Sequence, residues 1–142
     1  MTLQISNSSI DSYRVQALRR PWMEDQATWL QPAASRAWSV PGAAGIADRL
    51  ADRLAFFSPG SVGSHTFFFN DKGREVLQTW IDEPAANHGL ILGNEQAADG
   101  FSAISSESPT AALRPRLSLS YTLPAPPHPS RPLPWLHLLR ER

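Results

Sequence analysis

Between Phe67 and Leu92 the sequence changes periodicity twice, and this stretch limits the possible folds more than any other. Phe67-Phe68-Phe69 is an apolar strand candidate that runs into the polar pair Asn70-Asp71. From there Val76 with Trp80, and Leu77 with Ile81, fall at the four-residue spacing that puts side chains on one face of a helix. Asn70 or Asp71 can cap that helix by accepting the free amide hydrogens of its first turn, and Pro84 prevents its continuation. Asn87-His88-Gly89 then leads into a second apolar strand, Leu90-Ile91-Leu92. Strand, short helix, strand is a scaffold built for burial, so chemistry must be sought elsewhere.

At 142 residues and 42% apolar content the chain is the size of one domain with a real core. Thirteen basic residues balance thirteen acidic ones, which leaves no net field to steer it to nucleic acid or to an anionic membrane. The absence of cysteine removes disulfides, thiolate catalysis and zinc-thiolate sites together, and fits either a secreted bacterial protein or a cytosolic one. No apolar run reaches the roughly 18 residues of a membrane span, and the sequence does not open on a signal peptide. The expectation is a cytosolic protein or one whose beginning is missing.

Thr2 to Ser6 and Ser12 to Leu18 both alternate, with Leu3 and Ile5 in the first and Tyr13, Val15 and Ala17 in the second, Arg14 and Gln16 facing the other way. Asn7-Ser8-Ser9 between them is turn chemistry, which predicts a hairpin; it also fits a glycosylation sequon, but the turn reading is favoured. Trp22 and Trp29 then flank the acidic pair Glu24-Asp25. They could form a stacking platform for sugar rings beside a calcium or acid/base pair, but indoles around a turn more often fill the ends of a core, and neighbouring carboxylates are usually solvated. Ala44 to Ala55 reads as a helix, because Ile46, Leu50 and Leu54 recur every four residues. Phe56-Phe57 precede the turn Ser58-Pro59-Gly60, Phe101 to Ser105 is a short strand candidate, and Ser106 to Thr110 is a turn. Arg116 to Thr122 alternates plainly, with Leu117, Leu119 and Tyr121 on one face. Short strands at close spacing with one short helix predict an all-β fold, a jelly-roll-like antiparallel β-sandwich over residues 1–123. Six of the thirteen prolines fall between Pro124 and Pro134, so residues 124–142, ending Trp135-Leu136-His137-Leu138-Leu139-Arg140-Glu141-Arg142, read as a Pro-rich disordered tail.

Catalysis needs a base, and the histidines are His65, His88, His128 and His137, the last two in the tail. His88 could serve with Tyr121 or Arg116 as base and charge neutraliser in the manner of a polysaccharide lyase, although a histidine at the start of a strand more often bonds its own loop. No His-x-x-x-His, EF-hand or glycine-rich phosphate pattern appears, which argues against transition-metal and nucleotide chemistry. A structural calcium bound by oxygens from separate loops would leave no readable spacing and stays open. Neutral charge argues against single-stranded nucleic acid as a partner.

The order of these features resembles the DNRLRE domain, also classed as carbohydrate-binding module family ninety-six. Tyr13 and Val15 match its Tyr-x-Val strand; Trp22, Glu24, Thr28 and Trp29 match its Trp-x-Glu-x-x-x-Thr-Trp turn; Trp38 matches its lone tryptophan. Phe69, Asp71, Val76 and Trp80 follow its helix pattern, with Lys72-Gly73 replacing Val-Thr; Asn87, Gly89 and Leu90 follow its Asn-x-Gly-Leu strand. Ser106-Glu107 stands for its Ser-Arg-Glu turn without the arginine, and Pro115, Leu117, Leu119 and Tyr121 follow its closing strand. The match runs from about Thr2 to Thr122, and the family's opening strands would lie upstream of Met1, leaving a sheet edge unpaired. The resemblance implies a jelly-roll module of secreted or cell-surface bacterial proteins, joined to other modules, with alginate-type acidic polysaccharide as one ligand class. Arg14, Arg114 and Arg116, which alternation turns outward, are then the candidates for bidentate contacts to carboxylates. The expected role is non-catalytic carbohydrate binding; a structural spacer or adhesion module and a small β-sandwich lyase are the alternatives.

Overall fold

The computed structural model describes residues 1–94, 96 and 98–122; the expected tail, with His128 and His137, lies outside them. Strand β1 (Thr2–Asn7) is the centre of one three-stranded sheet, and β2 (Tyr13–Ala17) is the centre of the other. The second sheet is completed by β3 (Ala55–Phe57) and β5 (Leu90–Gly93), the first by β4 (Gly63–Thr66) and β6 (Ser102–Ala103). Every pairing is antiparallel, and the helix α1 spans Asp71–Asp82. The described chain is thus mostly strands in two antiparallel sheets with one helix.

Alternation decides what is buried. Leu3 and Ile5 of β1, Val15 of β2, Ala55 and Phe57 of β3, and Phe67 form one hydrophobic cluster drawn from both sheets. Ile5 is 1% exposed and Val15 0%. Phe57 sits at the hub, its ring centroid 5.3 Å from those of Phe67 and Phe101, and Tyr13 meets Phe101 edge-on at 4.7 Å. Each fully buried side chain of this size contributes about 1.5–3 kcal/mol relative to exposure.

The helix forms where the spacing predicts it. Asn70 Oδ1 accepts from the Gly73 amide at 2.9 Å, and α1 ends before Pro84. Leu77 is buried, Val76 and Trp80 are half-buried, and Ile81 is exposed. Gly73 costs helix propensity but has a packing reason: a Cβ there would stand 2.7 Å from the Phe69 ring and 2.9 Å from the Leu54 carbonyl. Through α1 the chain passes from β4 of the first sheet to β5 of the second.

Several expectations are corrected. Asn7-Ser8-Ser9 does not close a hairpin, because both sides of β1 are taken by β4 and β6. The turn instead crosses between sheets, held by the Ser9 amide on the Pro59 carbonyl (2.9 Å) and the Asp11 amide on the Ser9 hydroxyl (3.1 Å). Phe67–Phe69 is not the strand; β4 is the polar run before it, and of the three phenylalanines Phe67 exchanges ladder hydrogen bonds with Met1. Residues 44–55 form turns and a sheet flank, not a helix. The Asp48 and Arg49 amides turn back on the Gly45 carbonyl, but Leu50 and Leu54 donate outside the segment, to the Ala17 and Val15 carbonyls at 2.8 Å each, and Ile46 is exposed. Gln16, expected to face solvent, is buried under this segment and donates to the Leu50 carbonyl at 2.8 Å. Arg116 to Thr122 is not a strand either: Arg116 makes one bridge to Thr2, and Leu117, Leu119 and Tyr121 are exposed.

Candidate functional site

The end of β2 borders a run of clefts. The Leu18 amide donates to the Gly89 carbonyl at 3.0 Å, which pins Asn87-His88-Gly89 beside the segment leaving β2. Trp22 Nε1 then donates to the His88 carbonyl at 3.0 Å and locks the two loops together. The loop turns sharply because Gly89 has φ +87°, a conformation open to glycine at little cost, and the Asn87 side chain accepts the Gly89 amide at 3.0 Å.

Three clefts adjoin along this surface. One, of about 320 Å³, lies between the β2 end and α1 and is lined by Arg19, Val76, Trp80 and His88. His88 also lines the next, of about 270 Å³, with Trp22 and Asn87. Trp22 in turn lines the third, of about 240 Å³, with Met23, Gln26 and Arg36. The series places two indoles, an imidazole and two guanidinium groups along one run of surface. Arg19 spends one nitrogen on the Ile46 carbonyl at 3.0 Å, which holds the side chain and leaves further donors. Chemically, such a surface stacks flat apolar faces on indole rings and meets carboxylates with arginine forks.

Arg20, next to Arg19 in the chain, belongs to a polar knot. Asp48, 0% exposed, accepts from the Ser39 amide (3.0 Å), the Ser39 hydroxyl (2.6 Å), the Val40 amide (3.1 Å) and Arg20 (3.1 Å). Burial alone would raise its pKa, but these donors, Ser39 foremost, outweigh that and bring it down to about 2. The knot ties Ser39, Val40 and Arg20 to Asp48, and the Asp48 carbonyl also accepts the Arg19 amide at 2.8 Å.

The tryptophans are not core fillers, contrary to the favoured reading. Trp22 is 42% exposed and Trp29 68%, the latter lying over Gly42, where a Cβ would collide with its ring. Trp38 is half-buried, its Nε1 on the Thr28 carbonyl at 3.0 Å. Glu24 and Asp25 are exposed in a turn, and among the described residues no group of three or more His, Asp or Glu side chains gathers as a metal site.

The three expected arginines stay apart. Arg14 is exposed on β2, with Phe56 and Gly93 as cross-strand neighbours and the Arg53 guanidinium 3.6 Å over the Phe56 ring. Arg114 is tied to the Ser108 carbonyl at 2.8 Å, and Arg116 bridges Thr2 at the first sheet. His88, Tyr121 and Arg116 are attached to different parts of the fold, and among the described residues no hydrogen bond joins any two of them. Arg19, Arg36 and Asn87 escaped sequence reasoning because loop-to-loop hydrogen bonds, not periodicity, bring them to one surface. No described helix is long and apolar enough to cross a membrane. No family model, curated protein or solved structure matches the chain.

Proposed function

We propose that the chain is a non-catalytic carbohydrate-binding module of the DNRLRE kind, a jelly-roll β-sandwich of a secreted or cell-surface bacterial protein, and that it holds an acidic polysaccharide along the surface from Trp80 to Arg36. The observation that carries this reading is the series of clefts linked by shared lining residues, the first lined by Arg19, Trp80 and His88, the second by His88 and Trp22, the third by Trp22 and Arg36. Indole faces suit the apolar faces of sugar rings, Asn87 and His88 suit hydroxyls, and the arginines suit uronate carboxylates.

The test is affinity electrophoresis through gels containing alginate, polygalacturonate or a neutral glucan, with wild type beside Trp22→Ala and Arg36→Ala. Both side chains are exposed, and thermal melting of each variant checks that the fold is kept, since Trp22 Nε1 also ties the two loops together. Retention by a uronate polymer is expected, weakened roughly thirtyfold by Trp22→Ala, the loss typical of a hot-spot aromatic, and less by Arg36→Ala. Free migration of the wild type in every polymer would overturn glycan binding and leave the spacer role.

A further inference from the structure

The walls on either side of β1 continue past the point where β1 starts. On one side Met1 and Phe67 exchange hydrogen bonds at 3.0 and 2.8 Å; on the other Thr2 and Arg116 do so at 2.8 and 3.0 Å. Both walls run antiparallel to β1. Carrying the two registers past Met1 sets Phe68 across from Ser118, then Phe69 across from Leu119, with a single ladder position between each pair. Because each wall is hydrogen-bonded to β1, each stands about 4.8 Å from its line, so the space between them is one strand wide where it opens. A cavity of about 260 Å³ occupies that space, lined by Met1, Phe68, Phe69, Leu77 and Ser118 to Ser120.

The side-chain pattern fits the same reading. Leu3 and Ile5 point inward and Met1 packs on the core cluster, so the second ladder position before Met1 also faces inward, against Phe69, Leu77 and Leu119. Leu117, Leu119 and Tyr121 share the face that alternation assigns to the interior, yet they are 42, 51 and 80% exposed. The Met1 ammonium is partly buried, and burial holds its pKa below the ordinary amino-terminal range. A peptide N–H at that atom would make the same bond to Phe67 without burying a charge.

We propose that this gap is the seat of a strand, and that its occupant is the polypeptide leading directly into Met1 in a longer form of this chain, apolar at the second and fourth residues before Met1 and small or polar at the first and third. A segment collinear with β1 needs no turn to enter the seat and loses no translational freedom in doing so, which favours it over a strand from a separate polypeptide. Pairing with it would cover Leu119 and Tyr121 and engage the amides of Ser118, Ser120 and Phe69, the hydrogen-bonded positions of the two continued ladders.

The experiment compares the 142-residue chain with forms carrying Val-Thr-Val-Thr or Asp-Thr-Asp-Thr immediately before Met1, and with the 142-residue chain plus free acetyl-Val-Thr-Val-Thr-amide. Site-resolved amide hydrogen exchange is the readout. The apolar extension is expected to slow exchange at Ser118, Ser120 and Phe69 by roughly tenfold or more, with Leu119 less affected and a raised thermal midpoint. The acidic extension should do neither. Unchanged exchange at those three amides in the apolar form would overturn the strand seat. Equal protection by micromolar free peptide would overturn the collinear occupant in favour of a partner strand. Intact-mass analysis of the protein from cells that encode it should find residues before Met1; a native chain starting at Met1 would also overturn it.

Discussion

Tyr13–Ala17 and Leu117–Tyr121 carry the same alternation, three apolar residues separated by two polar ones, but the first is the centre of a sheet and the second is not a strand at all. β2 has a strand on each side, and Val15 is sealed from water. Residues 117–121 continue from one bridge at Arg116, and their apolar side chains face solvent. Periodicity names the face that a strand would bury. Whether anything covers that face depends on partners far away in the sequence.

If the contrast is sound, equal deletions in the two regions should differ widely. Ile5→Ala, which empties a site 1% exposed, should cost about 4 kcal/mol in denaturant unfolding, whereas Leu119→Ala should cost less than about 0.5 kcal/mol. Similar costs at both positions would break the comparison. Asp48→Ala should follow at about 3 kcal/mol, because it removes the acceptor of the Ser39 and Val40 amides and of the Ser39 hydroxyl and takes from Arg20 its carboxylate partner. Acid titration sharpens that point. With its folded pKa lowered from 3.8 to about 2, Asp48 contributes stability that is fully present above the unfolded value and is lost as the pH falls through the folded one. Asp48→Asn should flatten that acid limb of the unfolding curve, and an unchanged limb would place the acid sensitivity elsewhere. The smallest effect is expected at the helix cap, where Asn70→Ala should cost about 1 kcal/mol by thermal melting, since it frees the Gly73 amide.

What could be read from the sequence was local. Asn70, the four-residue spacing after it and Pro84 fix α1, and the alternation of Tyr13, Val15 and Ala17 fixes β2, because these signals act between residues a few positions apart. Strand pairing was not legible: β1 takes partners about 60 and 100 residues away instead of its sequence neighbour β2, and nothing in Asn7-Ser8-Ser9 records that choice. The helix expected at 44–55 failed for a related reason. Its amides at Leu50 and Leu54 are claimed by β2 carbonyls, and Asp48 binds the backbone of Ser39 and Val40, so tertiary partners override a modest propensity. The candidate surface was visible only through Trp22, Trp80 and His88. Arg19 and Arg36 reach it because the Leu18–Gly89 and Trp22–His88 hydrogen bonds fold loops onto one another.

The most direct measurement of how burial is divided in this molecule is site-resolved amide hydrogen exchange on the 142-residue chain. Tyr13 to Ala17 should exchange only through global unfolding, while Leu117 to Tyr121 should exchange within roughly tenfold of unstructured rates. Comparable protection in the two segments would contradict the account, since it would mean that the alternation after Arg116 already has a partner on both sides.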